Sequence, residues 1–267
     1  MTRLMVVCDL DGTLLDSRGE VSARTCAAVR AVAEAGWPLV LATGRPVRDV
    51  RAITRWLNYN SIAVCGNGSV SYDFAREAII DYRPIGPAEA RNVLRTLREV
   101  FSDIRCGAEL GLELILETGF AIDVCQSRDA RWVDTLEAVI EDRSLGKIIV
   151  QMGGDAQQYY RSLLGLLPHG CELTVSTSHF CEITQAGVTK AAALARLAER
   201  IDCSPDNVVA FGDMLNDLPM LAWAGCAVAV ANAHPEVLAA VDAVTRTNDE
   251  DGVALYLERL LAQERAG

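Results

Sequence analysis

A short apolar run that admits charge only at its end constrains this chain more than any other feature. Val6-Val7-Cys8 leads directly into Asp9-Leu10-Asp11-Gly12-Thr13-Leu14-Leu15. Continuous Val/Leu character over so few residues reads as a strand buried on both faces, the environment of a parallel sheet covered by helices. Residues i and i+2 of a strand share a face, so Asp9 and Asp11 leave its C-terminal end together. Gly12 then permits a sharp turn.

The pattern repeats along the chain. Ser22 can cap a helix reaching about Ala35, with Ala27, Ala28, Val29, Ala31 and Val32 suited to a buried face, and Gly36 ends it. Trp37–Ala42 reads as a second buried strand, followed by Thr43-Gly44-Arg45-Pro46 and a helix to about Leu57. A third strand over Ser61–Cys65 runs into Gly66-Asn67-Gly68-Ser69, which reads as an ordinary turn, and Val70–Tyr82 reads as a hairpin. Such alternation specifies an α/β fold, a doubly wound, Rossmann-like parallel sheet with right-handed crossovers.

Near Arg83–Pro87 the texture changes. Helices over Pro87–Phe101, Ala130–Ile140 and Ala156–Leu167 are expected. Strand-like runs fall at Leu112–Leu116, Phe120–Val124, Lys147–Met152, Leu173–Ser176 and Phe180–Ile183. This mixture fits an inserted α+β domain over 84–182 with a mainly antiparallel sheet. The core of the fold is then 1–83 and 183–267. From Gly187 the βα alternation resumes: a helix at Lys190–Ile201, a strand at Asn207–Phe211, then Gly212-Asp213-Met214-Leu215-Asn216-Asp217. A helix to about Trp223, a strand at Ala227–Val230, a helix from Pro235 and a last one over Gly252–Gln263 close the chain.

Composition narrows the partners. A net charge of −11 argues against a nucleic-acid or anionic-membrane partner, which would call for a basic face. No apolar stretch approaches the roughly 18 residues of a membrane span, and the first apolar run carries acids rather than a signal-peptide pattern. The nine cysteines are odd in number and scattered through apolar segments (Cys8, Cys26, Cys65, Cys125, Cys226) with no Cys-x-x-Cys pair. They read as reduced thiols of a cytoplasmic protein.

Four stretches carry chemistry: the Asp9/Asp11 turn, Thr43, Lys190, and the Asp213/Asn216/Asp217 turn. Three lie where a buried strand ends, and in a doubly wound sheet such positions meet on one rim. Several carboxylates can hold a hard divalent cation, and a lysine with a hydroxyl can neutralise phosphate oxygens. Crowded carboxylates without a metal would raise each other's pKa, which makes Mg2+ the natural occupant.

Asp9-Leu10-Asp11-Gly12-Thr13, Thr43-Gly44-Arg45, Gly187-Val188-Thr189-Lys190 and Gly212-Asp213 with Asn216-Asp217 together resemble the haloacid dehalogenase-like superfamily. The match is to its phosphatases, and the insertion resembles the large α/β cap of subclass IIB. The resemblance implies Asp9 as the nucleophile that becomes an aspartyl-phosphate, and Asp11 as general acid/base. It implies Mg2+ held by the Asp9 carboxylate, the Asp11 backbone carbonyl and Asp213, with Asp217 closing the site or binding through water. Thr43, Lys190 and Asn216 would bind the phosphoryl oxygens. Ala191 and Met214-Leu215 depart from the common pattern without removing a reacting group. The expected substrate is a small phosphorylated metabolite, a sugar phosphate, with the cap reading the leaving group. Two rivals use the same scaffold: a phosphomutase, and a non-catalytic metal- or metabolite-binding regulator, against which the intact Asp9 and Asp11 speak.

Overall fold

Met5–Cys8 (β1) is buried at every residue, as its unbroken apolar character requires. Ser22 accepts a hydrogen bond from the Thr25 amide and opens α1 (Ala23–Glu34), a cap worth about 1 kcal/mol. Its buried stripe is Thr25, Ala28, Val29 and Val32, while Ala27, expected inside, is exposed. The helical period alone decides this, because residue 27 is out of phase with 25, 28, 29 and 32. The first segment continues with β2 (Leu39–Ala42), α2 (Val47–Leu57), β3 (Ile62–Cys65), β4 (Val70–Asp73) and β5 (Ala78–Tyr82). Asn58, left-handed at φ 49, stops α2.

The middle of the chain holds α3 (Pro87–Val100), β6 (Arg105–Leu110), β7 (Glu113–Glu117), β8 (Ala130–Val133), α4 (Glu137–Ile140), β9 (Lys147–Gln151), α5 (Ala156–Leu164), β10 (Cys171–Thr174) and β11 (Cys181–Gln185). The last segment holds α6 (Lys190–Arg200), β12 (Val208–Gly212), α7 (Leu218–Trp223), β13 (Cys226–Ala229), α8 (Pro235–Leu238), β14 (Ala243–Val244) and α9 (Gly252–Ala266).

This computed structural model describes residues 4–121, 129–174 and 179–266. They form two units, Met1–Ile80 with Thr189–Gly267, and Asp81–Val188. The first is built on an eight-stranded sheet in the order β14-β13-β12-β1-β2-β3-β4-β5. It is parallel from β14 to β3, and β4 runs antiparallel to β3. Val7 sits between Ala210 and Val40 in register. The chain winds to one side from β1 through β2 and β3, and to the other through β12, β13 and β14. Sequence order therefore reverses at β1, and in open α/β sheets ligands bind at the carboxyl ends of the strands beside such a reversal. α1 packs with α2 and α9, and α6 with α7.

The second unit is a six-stranded sheet in the order β10-β11-β9-β6-β7-β8, antiparallel except between β7 and β8. Alternate residues Cys106, Ala108, Ile148, Val150, Cys181 and Ile183 join Val93, Leu94, Leu97, Tyr159 and Leu163 of α3 and α5 in one apolar core. The intervening positions Glu109, Lys147 and Glu182 are also buried, and Lys147 Nζ donates to Glu182 at 2.6 Å.

The helix expected over Ala130–Ile140 is not formed. Ala130–Val133 instead pairs with Leu114–Glu117, leaving only a single turn at Glu137–Ile140. Leu136 and Ile140 are buried and Val133 is partly buried, a spacing that imitates a helical stripe. Strand pairing overrides it. No strand is expected from the sequence at β6, which forms a hairpin with β7 and is completed on its other edge by the distant β9. Parts of the runs expected at Phe120–Val124 and Leu173–Ser176, and Cys125, lie outside the described residues. Eight cysteines among the described residues are free thiols, and no helix there is long and apolar enough to cross a membrane.

Candidate active site

The ladder of β1 runs one residue past the strand, because the Asp9 amide donates to the Phe211 carbonyl at 3.0 Å. Leu10–Thr13 then turns sharply, with Asp11 at φ −77, ψ 121 and Gly12 at φ 77, ψ −5, the angles of a type II turn. Glycine is required twice over at position 12. Its φ is left-handed, and a Cβ there would come within 2.5 Å of Asp213 Oδ2. The turn is tied down by Thr13, whose hydroxyl donates to Asp213 Oδ1 at 2.8 Å, and by Asn232, whose amide donates to the Gly12 carbonyl at 2.8 Å.

Asp9, Asp213 and Asp217 come together at the ends of β1 and β12, each offering a carboxylate oxygen within 4.8 Å of the others. All three are buried, and so is Lys190. The lysine opens α6, whose first turn is capped by Thr189 accepting from the Ala192 amide. Lys190 Nζ donates to Asp9 Oδ1 and to Asp217 Oδ1, each at 2.6 Å. The other oxygen of Asp217 accepts from the backbone amides of Asp213 and Met214, both at 3.1 Å. Asp217 thus orients both the lysine and the loop that carries Asp213.

Three carboxylates share one ammonium, so two negative charges are left without a cation in a dry setting. Burial pushes the Asp9 carboxyl well above the usual carboxylate range, Asp217 and Asp213 push it further, and Lys190 opposes them. Burial likewise pushes Asp213 up to about 6, against the hydrogen bond from Thr13. On Lys190 burial works toward the neutral amine, but Asp9 and Asp217 outweigh it and hold the ammonium above its ordinary range. An all-oxygen donor set with surplus negative charge fits a hard divalent cation.

Asp11 lies apart from this trio. Its side chain is 54% exposed and takes a two-pronged ion pair from Arg45, with Nε donating to Oδ2 at 2.8 Å. Thr43 follows β2 and is fully buried, its hydroxyl oxygen accepting from the Arg45 amide at 3.1 Å. Asn216 is exposed, and its amide donates to Asn67 Oδ1 at 3.3 Å. The six residues Asp9, Asp11, Thr43, Lys190, Asp213 and Asp217 therefore all stand on the loops and helix starts expected of them, with Asn216 on the same loop as Asp213. Sequence reasoning gave no role to Thr13, Arg45, Asn67 or Asn232. Arg45 stood in view within Thr43-Gly44-Arg45, and Thr13 within the first acidic turn; nothing local marked Asn67 or Asn232.

Residues 6–257 match the family model of the haloacid dehalogenase-like hydrolases. The chain belongs to that family. An Escherichia coli relative, a pyridoxal phosphate phosphatase, is 27% identical over 96% of this chain and 98% of its own length. A solved haloacid dehalogenase-like hydrolase from Bacteroides thetaiotaomicron is 27% identical, covers 97% of this chain and 100% of its own, and superposes with a TM-score of 0.82. A subclass IIB sugar phosphatase is 20% identical with a TM-score of 0.78, covering 96% of this chain and 98% of its own. At that identity the likeness speaks for the fold alone. With curated phosphatases matching along nearly its whole length, this member of the family is a phosphoric monoester hydrolase.

Proposed function

We propose that this phosphatase is magnesium-dependent and hydrolyses a small phosphorylated metabolite, a sugar phosphate, through an aspartyl-phosphate on Asp9. The observation that carries the reading is the surplus of negative charge where Asp9, Asp213 and Asp217 meet over a single lysine. Asp9, Asp213 and the Asp11 carbonyl are the residues to hold the ion, with Asp217 behind them. Bound there, magnesium would neutralise the trio and polarise a phosphoryl oxygen.

The chain's own residues divide the remaining work. Asp9 Oδ1 is engaged by Lys190, and its second carboxylate oxygen is the one available to attack phosphorus in line. As the new O–P bond forms, the bond from phosphorus to the leaving oxygen breaks, and the Asp11 carboxylic acid protonates the departing alkoxide. The Asp11 carboxylate then takes a proton from water, the water oxygen bonds to phosphorus, and the Asp9–phosphorus link breaks to release phosphate. Lys190 and the Thr43 hydroxyl supply a fixed charge and a fixed donor for the phosphoryl oxygens, which need no reorganisation as charge develops. Arg45 keeps the exposed Asp11 beside the turn between substrates.

Leaving-group selectivity falls to side chains of the 81–188 unit acting as a cap, and the free thiols support a cytoplasmic setting. The test is hydrolysis of an aryl phosphate by the wild type with magnesium, by the wild type in chelator, and by Asp9→Asn. Turnover is expected only in the first. Undiminished turnover in either of the others would contradict the mechanism, and a panel of phosphorylated metabolites then ranks sugar phosphates against pyridoxal phosphate.

A further inference from the structure

Gly66-Asn67-Gly68-Ser69 has the composition of a plain turn, but its backbone is held in an unusual shape. Three consecutive residues, Gly66 (φ 56), Asn67 (φ 54) and Gly68 (φ 109), are left-handed. Glycine enters that region freely, whereas a residue with a side chain does so at a cost that the surroundings must offset. Outliers of this kind concentrate at functional sites, and the neighbours of this one are informative.

The loop is fixed by the residues proposed to bind phosphate. The Gly66 amide donates to the Arg45 carbonyl and the Asn67 amide to the Thr43 carbonyl, each at 3.0 Å. On its other side Gly68 lies so close to the start of α6 that a Cβ would come within 2.3 Å of the Thr189 carbonyl oxygen. The 66–68 loop is therefore wedged between Thr43–Arg45, which supplies a hydroxyl, and Thr189–Lys190, which supplies an ammonium.

The Asn67 side chain is buried and sits against Gly44, where a Cβ would be 3.3 Å from Asn67 Oδ1. That oxygen accepts from Asn216 Nδ2 at 3.3 Å. The Asn67 Nδ2 group has no hydrogen-bond partner among the described residues. Exchanging oxygen and nitrogen in both amides changes which asparagine donates, but still leaves N–H donors of the pair unused. The loop thus invests a strained backbone in presenting amide donors beside Thr43.

From this we infer that Asn67 is a substrate-contacting residue of the active site, donating from its side-chain amide to a phosphoryl oxygen with Asn216 as its partner. The inference rests on the phosphatase reading and adds a donor to the set that the resemblance implies. A phosphoryl group presents three non-bridging oxygens, each able to accept more than one hydrogen bond, so Asn67 can serve beside Thr43, Lys190 and Asn216. A neutral amide does so without drawing charge from the crowded trio.

The test compares Asn67→Gly, which keeps the left-handed backbone free of strain and removes the amide, with Asn67→Asp, which keeps the shape and replaces donors by a carboxylate. Three quantities are read on the full chain: kcat/KM for an aryl phosphate, the inhibition constant of inorganic phosphate, and Tm. For Asn67→Gly, kcat/KM should fall by about 10- to 100-fold, the range for a lost hydrogen bond to a charged group. The inhibition constant should rise by a similar factor while Tm moves by no more than a few degrees. Asn67→Asp should lose more, because it sets a negative charge against the phosphate. The inference is overturned if both variants bind inorganic phosphate as the wild type does, including the case in which activity falls only in step with Tm. A wild type without phosphatase turnover would overturn the phosphatase reading itself, and this inference with it.

Discussion

Each unit of the molecule buries a lysine against carboxylates, and the two solutions differ in a way that separates a working site from a structural one. In the second unit Lys147 donates to Glu182 at 2.6 Å and lies 3.9 Å from Glu109. All three project from strands β9, β11 and β6, whose backbones are held by the sheet's ladders. In the first unit Lys190 pairs with Asp9 and Asp217 at the same 2.6 Å, but a third carboxylate, Asp213, joins them, and all stand on loops or helix starts. Strand-borne charges that nearly balance serve the fold. Loop-borne charges that do not balance are free to take up a cation and a substrate, and they hold the site in a less stable state without them.

The largest effect that separates the two clusters is chemical. Asp9→Asn should lower kcat on an aryl phosphate by about 10⁴-fold or more, the scale seen when a nucleophile is removed. Glu182→Gln, its counterpart in the other cluster, should leave the chemical step on that small substrate intact. Rates corrected for folded protein would check this, and equal losses would erase the distinction.

Next in size is the removal of each lysine. Lys147→Met leaves buried glutamates without their cation and should cost about 3–5 kcal/mol of stability, measured by denaturant unfolding. Lys190→Met should lower kcat/KM by about 10²- to 10³-fold, the price of losing a fixed charge on the reacting group. Magnesium should recover part of its stability and none of the stability lost in Lys147→Met.

Metal removal should then divide the clusters by ligand response. At magnesium near 100 times its dissociation constant, the wild type should gain about 2.7 kcal/mol, read as a rise in Tm. Asp213→Asn should abolish the rise.

The smallest effect is in pH. Burial raises the Asp213 carboxyl to about 6, above its ordinary value of 3.8, and raises Asp9 in the same direction. A group raised on folding binds more protons in the folded state, so the metal-free protein should lose stability as pH climbs from about 4 to 6. Glu77 and Glu258 act in the opposite sense, held low by Arg51 and Arg24, and their contribution is lost below about pH 4. A stability maximum near pH 4 in chelator is expected, flattened toward neutral pH by magnesium. Thermal scans across pH check it, and stability rising steadily from pH 5 to 7 in chelator would contradict it.

The two clusters also differ in how far the sequence announces them. Asp9, Asp11 and Asp213 follow apolar runs that end abruptly, so local pattern both locates the strands and points the acids at one rim. Lys190 alone looks like an ordinary exposed helix lysine, and only its place in the order of the motifs marks it. Lys147 and Glu182 sit within strands and look like any polar alternation, because their partners are set by β9 pairing with β11. Thr13 stands in view within the first acidic turn, but its bond to Asp213, spanning 200 positions, is illegible for the same reason. Gly66-Asn67-Gly68-Ser69 has the composition of an ordinary turn, and only the approach of Thr43, Thr189 and Asn216 distinguishes it. In the second unit, Ala130–Val133 shows periodicity losing to pairing. Asp217, expected to close the metal site or to bind through water, has both oxygens engaged, one by Lys190 and one by two backbone amides.

The most direct measurement is an acid quench of the enzyme during turnover of a phosphate-labelled substrate, with the labelled peptide identified by mass spectrometry. With magnesium present, label should appear on the peptide containing Asp9 and on no other. It should be absent in chelator and in Asp9→Asn. Turnover with no labelled protein at the earliest quench, or label on a peptide lacking Asp9, would contradict the account.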